Sequence, residues 1–220
     1  MRLAKKMNRN AKSLLKENWG FILFVMLLLI SRSSIADWYQ VPTGSMLPTI
    51  QEGDRILVDK MAYRLDIPFT DIPIAKTSSP ERGDIVVFMS EKAGIRLVKR
   101  VLGIPGDNIA MVKNQVVLNG EVLQYTETNR ANTFIEQLSG AEHPVQFENV
   151  PQPRDTFQNL IVPEGHYFVM GDNRNNSVDS RYYGLVSITE LKGKATKVLY
   201  SLDSDNYFLP RAERFFSALP

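Results

Sequence analysis

From residue 40 onward, apolar residues occur in short runs of strand length, and turn residues separate each run from the next. The pair Asn119-Gly120 lies between two of these runs and is typical of a β-hairpin, because both turn positions tolerate positive φ. A helical period is visible after residue 40 only weakly, over 209–219. The pattern predicts a mostly β, antiparallel fold with strands at 55–60, 84–89, 96–102, 108–112, 115–118, 121–124, 165–170 and 195–201.

The N-terminus combines a basic segment with an apolar run. Residues 1–17 carry a formal charge of +5, so the rest of the chain carries −3 within a total of +2. The apolar run 19–30 follows at once, and its flanks extend it to a predicted single membrane-spanning helix over 18–38, with the tail 1–17 in the cytoplasm. A cleavable secretory signal, with Ser34 and Ala36 at the cleavage site, fits the same segment. Both interpretations place the remainder of the chain outside the cytoplasm.

Composition narrows the classes of function. The basic excess lies on the tail and not on the body, which disfavours a nucleic-acid partner. The chain has no cysteine, so disulfides and thiolate catalysis are excluded, and its two histidines are too few for a His-rich metal centre. The sequence therefore predicts no cofactor, no metal and no nucleic acid.

The segment 125–160 differs from its surroundings, because it is polar and contains three prolines. It is predicted to be a small inserted β-region hung on a catalytic core formed by 39–124 and 161–205. We interpret it as a surface insertion without a role in chemistry, in which His143 is solvated. The last segment, 206–220, is predicted to lie either on the membrane surface or docked on the core.

A lysine stands on an apolar face of one predicted strand. Alternate side chains of a strand share a face, which places Lys99 between Leu97 and Val101. Burial disfavours the ammonium form and lowers a lysine pKa, so that a buried Lys99 can act as a general base. The alternative is a lysine whose methylenes are buried while its charge reaches water.

A serine that could use such a base lies in the segment 41–50. Ser45 follows a glycine and stands between Pro42 and Pro48, so the segment is stiff at its ends and permissive in its middle. A serine hydroxyl is a weak nucleophile unless a base lies beside it. Glycine-serine turns are common, and the segment alone does not separate a catalytic serine from an ordinary turn.

The third unusual segment, 171–181, is polar or glycine at all but one position and directly follows a predicted strand. Calcium binding is the competing interpretation, since the segment offers four oxygen ligands: Asp172, Asn173, Asn175 and Asp179. An EF-hand loop, however, needs glycine at its sixth position and a closing glutamate, and this segment has neither when counted from Asp172.

Four segments, taken in order, resemble the bacterial type I signal peptidases: 43–49 (TGSMLPT), 82–88 (RGDIVVF), 99–107 (KRVLGIPGD) and 171–181 (GDNRNNSVDSR). The resemblance implies a Ser–Lys dyad on an antiparallel β-sheet or partly closed barrel, with Ser45 as nucleophile and Lys99 as general base. It implies that Ser177 hydrogen-bonds the Lys99 amine, and that the Thr43 hydroxyl and the Ser45 N–H form the oxyanion hole. Structural ion pairs are expected among Arg100, Asp172, Asp179 and Arg181.

The resemblance also implies the partners and the location. Preprotein signal peptides would bind in extended form and be cut after small residues at minus-one and minus-three, against Tyr39, Val41, Met46, Ile50, Leu97 and Val98. The protein would be a monomer in contact with lipid, retained in the bacterial inner membrane with its catalytic part on the periplasmic face.

Two departures from the family pattern suggest a peptidase with a narrower substrate, and three other classes of protein are also alternatives to a signal peptidase. Asn175 stands where the family usually has Asp, and Thr43 stands where Ser is frequent, which suits a specialised maturation peptidase for a narrow substrate such as a pilin. A non-enzymatic membrane-tethered β-domain would not need Ser45, Lys99 and Ser177. A self-cleaving repressor would need a DNA-binding N-terminus, and a Ser–His–Asp protease would have to use His166.

Overall fold

The computed structural model describes residues 15–150 and 153–220. It contains helix α1 (Trp19–Ser34) and a short helix α2 (Ser180–Tyr183). Within the described ranges, no helix has both the length and the apolar character that a membrane span requires. The predicted cytoplasmic tail lies outside the described residues as far as residue 14.

The predicted anchor helix is wrong at its C-terminal end. Helix α1 ends at Ser34, and the chain continues as strand β1 (Ala36–Gln40), which pairs antiparallel with strand β2 (Asp54–Asp59). The apolar pattern of 35–38 suits a helix and a half-buried strand equally, and the neighbouring β2 decides between them because pairing satisfies the backbone of β1. Trp38 consequently lies in a strand, where the Arg32 guanidinium stacks over its ring at 4.4 Å.

Most of the regular structure after α1 consists of short strands, and each of the eight predicted runs overlaps one of them. Their bounds are β3 Arg64–Asp66, β4 Pro73–Lys76, β5 Ile85–Ser90, β6 Ile95–Gly103, β7 Asn108–Val112, β8 Gln115–Leu118, β9 Glu121–Val122, β10 Gln124–Glu127, β11 Thr133–Leu138, β12 Ala141–Gln146, β13 Phe157–Ile161, β14 His166–Met170, β15 Val186–Ser187, β16 Leu191–Asp203 and β17 Leu209–Pro210.

The largest sheet has the strand order β1-β2-β16-β5-β6-β14-β15, with β17 added beside β16, and all its pairs are antiparallel. The prediction of a mostly β, antiparallel fold is confirmed. The predicted closure into a partial barrel is not found among the described strands, because the two ends of the order do not pair. The sheet nevertheless curls strongly, since the guanidinium of Arg96 on β6 reaches the ring of Tyr39 on β1 although three strands separate them.

Three apolar clusters form the core. One packs Val41, Met46 and Ile50 against the residues of β2, β5 and β16. A second joins β5, β6 and β14 through residues such as Phe88, Val101 and Val169. The third lies under a four-stranded sheet of order β13-β7-β8-β9. The segment that follows β1 is thereby fixed to the main sheet by its own apolar side chains.

The insert (125–160) forms most of a three-stranded sheet, β10-β11-β12, and its last strand, β13, joins β7. The prediction that His143 is solvated is wrong, because it is 2% exposed. It faces Glu136 across the β11–β12 pair, and its Nε2 lies 3.1 Å from the Glu136 Oε1. A short parallel bridge also joins Gln146 to Asn173, so the insert contacts the core through more than its two connections.

The C-terminal segment is docked on the core rather than helical. It contains β17 and a single 3-10 turn, Ala212–Arg214, so the weak helical period is overridden by tertiary contacts. Arg214 Nε donates to the Asp54 carboxylate at 2.9 Å, and Arg211 Nη1 donates to the Ser201 hydroxyl at 2.8 Å. Phe216 remains exposed, and a place for it at the membrane surface stays a prediction.

Candidate active site

Ser45 lies in a tight segment between β1 and β2. The Val41 N–H donates to the Asp54 carbonyl at 2.9 Å, which fixes the start of the segment to β2. The Ile50 N–H donates to the Met46 carbonyl at 2.9 Å, and both of these side chains are buried in the core. The Ser45 side chain is left half-buried between two anchored ends.

Lys99 lies in the middle of β6 and is 2% exposed. Leu97 and Val101, its neighbours on the same face, both contribute to one apolar cluster, together with Val86, which is directly opposite Lys99 on β5. The methylene chain of Lys99 is therefore surrounded by apolar side chains. Its Nζ lies 2.7 Å from the Ser45 Oγ and donates to the Val98 carbonyl at 3.0 Å.

Burial lowers the pKa of Lys99 from its ordinary value of 10.5 to about 8, although the charges of Asp179 and Asp172 raise it. An ammonium loses its hydration when it is buried, whereas a neutral amine loses much less. A substantial part of the Lys99 amine is consequently neutral near pH 8. In that form it can accept a proton from a hydroxyl within hydrogen-bond distance.

The segment 171–181 holds the main chain of Ser45. The Asn173 N–H donates to the Ser45 carbonyl at 3.1 Å, and its side-chain amide donates to the Gly44 carbonyl at 3.2 Å. Gly171 approaches so closely that a Cβ placed on it would lie 2.3 Å from the Ser45 carbonyl oxygen. The polar character of this segment thus has a structural cause, because it supplies hydrogen bonds to the turn that carries the serine.

Two buried ion pairs fix this segment, one of which joins it to β6 while the other lies within it. Arg100 donates to both carboxylate oxygens of Asp172, at 2.9 and 2.8 Å. Arg181 donates to both oxygens of Asp179 at 2.8 Å, and the Gly171 N–H donates to the same carboxylate at 3.1 Å. Burial alone would raise the pKa of Asp172, but the charge and hydrogen bonds of Arg100 outweigh it and hold that pKa below its ordinary value.

Ser177 is buried beside this arrangement without the hydrogen bond expected of it. Its Oγ has no partner among the described residues, and it lies against Gly171. The Lys99 amine is directed instead to the Ser45 hydroxyl and the Val98 carbonyl. A neutral amine has two N–H groups and one lone pair, so a Lys99 that accepts from Ser45 and donates to Val98 keeps one N–H group for a further acceptor.

The two groups expected to form the oxyanion hole are free. Thr43 is exposed, and within 15–150 and 153–220 neither its hydroxyl nor the Ser45 N–H has a hydrogen-bond partner. Donors without internal partners beside a half-buried hydroxyl are available to an incoming carbonyl oxygen.

The expected substrate contacts divide into two groups. Tyr39, Leu97 and Val98 are partly accessible, whereas Val41, Met46 and Ile50 are fully buried. Leu97 packs against the second apolar cluster. Tyr39 and Val98 pack against the cluster that contains the buried three. The surface next to Ser45 is therefore apolar. The three buried residues do not form this surface themselves but pack against the residues that do.

A further buried ionic cluster, not predicted from the sequence, joins the insert to the segment 171–181. The Arg174 Nη2 donates to the Glu136 Oε1 at 2.6 Å, and the His143 Nε2 lies 3.1 Å from the same oxygen. Burial opposes the charge on Glu136, but the charge of Arg174 outweighs burial and holds the Glu136 pKa far below its ordinary value. Glu148, also in the insert, accepts from the Asn173 amide at 2.6 Å. The abundance of polar groups at 171–181 was the only signal in the sequence for these contacts.

The arrangement is suited to acyl transfer. A hydroxyl lies beside an amine of lowered pKa, and the Thr43 hydroxyl and the Ser45 N–H have no hydrogen-bond partner among the described residues. Backbone hydrogen bonds hold the Ser45 turn and apolar packing holds Lys99, which fixes the mutual orientation of these two residues.

Comparison with known proteins points in the same direction. The family model described as signal peptidase, peptidase S26, matches residues 15–200. The signal peptidase I of Pseudomonas aeruginosa is 35% identical over 199 residues, which cover 82% of this chain and 69% of that protein. The signal peptidase I of Rickettsia massiliae is 33% identical over 222 residues, which cover 87% and 82%. A crystal structure of a signal peptidase I from Enterococcus faecalis matches 55% of this chain and 100% of that chain, with 30% identity and a TM-score of 0.37.

The matched range includes the Ser45 turn, strand β6 with Lys99 and the whole segment 171–181. The chain therefore belongs to the signal peptidase family, peptidase S26.

Proposed function

We propose that this protein is a membrane-bound serine endopeptidase that removes N-terminal signal peptides from exported preproteins, cutting after small residues. The 2.7 Å separation of the Lys99 Nζ and the Ser45 Oγ, with the amine buried, is the observation that carries the proposal. The relatives named signal peptidase I support this general activity over a narrow maturation peptidase.

The reaction begins with the neutral Lys99 amine. It takes the proton of the Ser45 hydroxyl as the Oγ attacks the scissile carbonyl carbon, and the carbonyl oxygen becomes an oxyanion. The Ser45 N–H and the Thr43 hydroxyl stabilise that oxyanion by hydrogen bonds. The Lys99 ammonium then gives its proton to the leaving amine, and the acyl-enzyme is hydrolysed by a water that the regenerated amine activates.

Ser177 and the two ion pairs have supporting roles in this proposal. A protonated Lys99 has one N–H more than the neutral amine, and the unpaired Ser177 hydroxyl is a buried acceptor close to the Ser45 turn. Ser177 would thus orient Lys99 when the amine carries the proton. The pairs Arg100–Asp172 and Asp179–Arg181 would keep the segment 171–181 in place and take no part in the chemistry.

The substrate would bind as an added strand. On the β14 side, β6 is paired only from Arg100 onward, so residues 95–99 have an open edge beside Ser45. An extended peptide can use these backbone groups, with the side chains on one of its faces directed at Tyr39 and Val98 over the buried Val41, Met46 and Ile50. The side chains on its other face would be directed at Leu97. Shallow apolar contacts of this kind suit alanine at minus-one and minus-three.

The location follows from α1 in this proposal. Its large apolar side chains, such as Phe21, Phe24 and Leu27, are exposed, and the basic excess lies on its N-terminal side. Lipid would cover these side chains, with the N-terminus in the cytoplasm and the catalytic part on the outer face of the cytoplasmic membrane. Action as a monomer, without metal or cofactor, stays a prediction.

The test is cleavage of a preprotein with an Ala-x-Ala site by the full chain in detergent. We expect the wild type to cut after this site and Ser45→Ala and Lys99→Ala to lose at least about 1000-fold in kcat/KM, since members of a catalytic unit are strongly interdependent. The exposed residues Ser204 and Lys76 provide matched controls, and their alanine variants should retain full activity.

Circular dichroism separates loss of chemistry from loss of fold, since both inactive variants should keep the wild-type spectrum. Full activity of a folded Lys99→Ala variant would contradict the proposed mechanism. Absence of cleavage by the wild type would contradict the proposed function.

A further inference from the structure

One side-chain amide is bonded to the peptide group that carries the proposed oxyanion donor. The Asn173 Nδ2 donates to the Gly44 carbonyl oxygen at 3.2 Å, and this oxygen also accepts from the Leu47 N–H at 3.1 Å. The Gly44 carbonyl and the Ser45 N–H belong to the same planar peptide unit, in which the C=O and the N–H point in opposite directions. A bond that fixes the direction of this carbonyl therefore also fixes the direction of the Ser45 N–H.

The same amide nitrogen is also bonded to the insert. The Asn173 Nδ2 donates to the Glu148 Oε1 at 2.6 Å, a short bond of the kind that a charged acceptor forms. The two N–H groups of the amide thus have two acceptors. The Asn173 Oδ1, by contrast, is buried and has no hydrogen-bond partner among the described residues. The orientation of the amide is therefore set by its two acceptors, the Gly44 carbonyl and the Glu148 carboxylate.

The carboxylate makes this orientation of the amide more favourable than the reverse one. If the amide turned over, its Oδ1 would face the Gly44 carbonyl oxygen and the Glu148 carboxylate, and neither of these groups has a proton to donate. The repulsion would be largest at Glu148, where a full negative charge would meet the partial charge of the amide oxygen. Glu148 consequently keeps the N–H side of Asn173 toward the Gly44 carbonyl.

Main-chain hydrogen bonds fix the stretch of the insert that carries Glu148. Two residues before it, the Gln146 N–H donates to the Asp172 carbonyl, and the Gln146 carbonyl accepts from the Arg174 N–H, both at 2.8 Å. Glu148 itself is half-buried. Its carboxylate therefore reaches the segment 171–181 from a backbone that is bonded to that same segment.

We propose that Glu148 is a positioning residue for the oxyanion hole: through the Asn173 amide it holds the Gly44–Ser45 peptide so that the Ser45 N–H is directed at the carbonyl oxygen under attack. This inference rests on the proposed function, because it requires that Ser45 attack a peptide carbonyl. Glu148 acts only through Asn173 and contacts neither the substrate nor the dyad. The inference gives the insert a supporting part in the reaction.

The test compares kcat and KM for the Ala-x-Ala preprotein between the wild type and variants of the full chain in detergent. The oxyanion forms only as the carbonyl is attacked, so a misdirected Ser45 N–H should lower kcat and leave KM nearly unchanged. We expect Glu148→Ala to lose about tenfold in kcat, less than the roughly 100- to 1000-fold that follows removal of an oxyanion donor itself. Asn173→Ala, which removes the amide, should lose at least as much as Glu148→Ala.

Two further variants separate positioning from a change in net charge. Glu148→Gln keeps an acceptor oxygen at the same place and should recover much of the kcat that Glu148→Ala loses. Glu142 is an exposed glutamate of the insert whose carboxylate also accepts from a side-chain amide, that of Gln137 at 3.2 Å. Glu142→Ala makes the same change in net charge and should keep the wild-type kcat. Circular dichroism should give the wild-type spectrum for every variant.

The pH profile separates an effect on the oxyanion donor from an effect on the dyad. If Glu148 acts on the Ser45 N–H, kcat/KM of Glu148→Ala should still rise through about pH 8, where Lys99 loses its proton. A shifted midpoint, a wild-type kcat in Glu148→Ala, an equal loss in Glu142→Ala or an altered spectrum of Glu148→Ala overturns the inference, while cleavage by the wild type upholds the proposed function. Failure of the wild type to cleave the preprotein overturns both.

Discussion

The backbone N–H of Asn173 donates to the carbonyl oxygen of Ser45 at 3.1 Å, so the proposed nucleophile is held by a segment more than a hundred residues further along the chain. This contact requires the two backbones to approach closely, and Gly171 makes the approach. A Cβ on Gly171 would lie 2.3 Å from the Ser45 carbonyl oxygen and 2.6 Å from the Ser177 Cβ. Neither neighbour is the end of a flexible side chain.

Gly171→Ala should therefore displace Ser45 from Lys99. We expect a fall in kcat of at least about tenfold and a loss of about 1–3 kcal/mol in the free energy of unfolding, as overpacked sites show. Gly20→Ala, where an added Cβ meets nothing within 4 Å, is the control; it should leave kcat unchanged and should not lower the free energy of unfolding, since alanine favours the helix α1. Peptide cleavage and urea denaturation measure the two effects, and an alanine variant with wild-type kcat would contradict the proposed arrangement.

The pH dependence of cleavage should report the Lys99 amine. Its pKa is about 8, and the neutral form is the base, so kcat/KM should rise with pH through about 8 and then level off. The substrate peptide should contain no titratable side chain, so that the pH profile reports the enzyme alone. A rising limb centred near 6.5, the ordinary histidine value, would assign the base to an imidazole and contradict Lys99.

The same burial predicts that Lys99 costs stability. Because its pKa falls from 10.5 to about 8 on folding, the unfolded chain binds more protons between these values, and stability rises with pH across that window. Below about pH 8 the folded protein bears the full free-energy cost of burying the Lys99 ammonium. Lys99→Met should therefore raise the free energy of unfolding at pH 7, by at most about 3 kcal/mol, and the gain should fade toward pH 10.5. Lys76→Met, at an exposed position, should show no such pH-dependent gain.

The Arg100–Asp172 pair should contribute far more to stability than a surface pair. Asp172 is 0% exposed, whereas the carboxylate of the Lys192–Asp71 pair is 76% exposed. Asp172→Asn leaves a buried guanidinium without its counter-charge and should cost about 3–5 kcal/mol, while Asp71→Asn should cost less than about 1 kcal/mol. Since the pKa of Asp172 is held below its ordinary value, its contribution should persist through mildly acidic pH and disappear as the pH falls through that low value. Equal losses in the two variants would contradict this assignment.

Much of the fold could be predicted because its strands alternate. Lys99 between Leu97 and Val101 is the clearest example, since period two alone places it on a buried face. Strand β1 was missed because its residues continue the apolar run of α1, and only pairing with β2 makes them a strand. The C-terminal segment shows the converse, because its helical period is outweighed by Arg211 and Arg214 docking on the sheet.

The proposed site was predictable where short motifs carry it and not where distant residues meet. Ser45, Lys99 and the segment 171–181 follow from local residues and their resemblance to one family. The cluster of Glu136, His143 and Arg174 has no local period, because a buried ion pair between distant segments leaves no trace in either one. The expected Ser177 contact failed for a different reason, since hydrogen-bond geometry around a single nitrogen depends on every neighbour at once.

The bridge between Gln146 and Asn173 connects the insert directly to the segment that holds the Ser45 turn. Asn173 bonds both to the three-stranded sheet and to the turn that carries Ser45. We expect a compound or antibody fragment that pulls this sheet away from the core to misalign the dyad without entering the peptide groove. The three-stranded sheet is thus a second surface for inhibitors, and an inhibitor that binds there need not resemble an alanine-rich peptide.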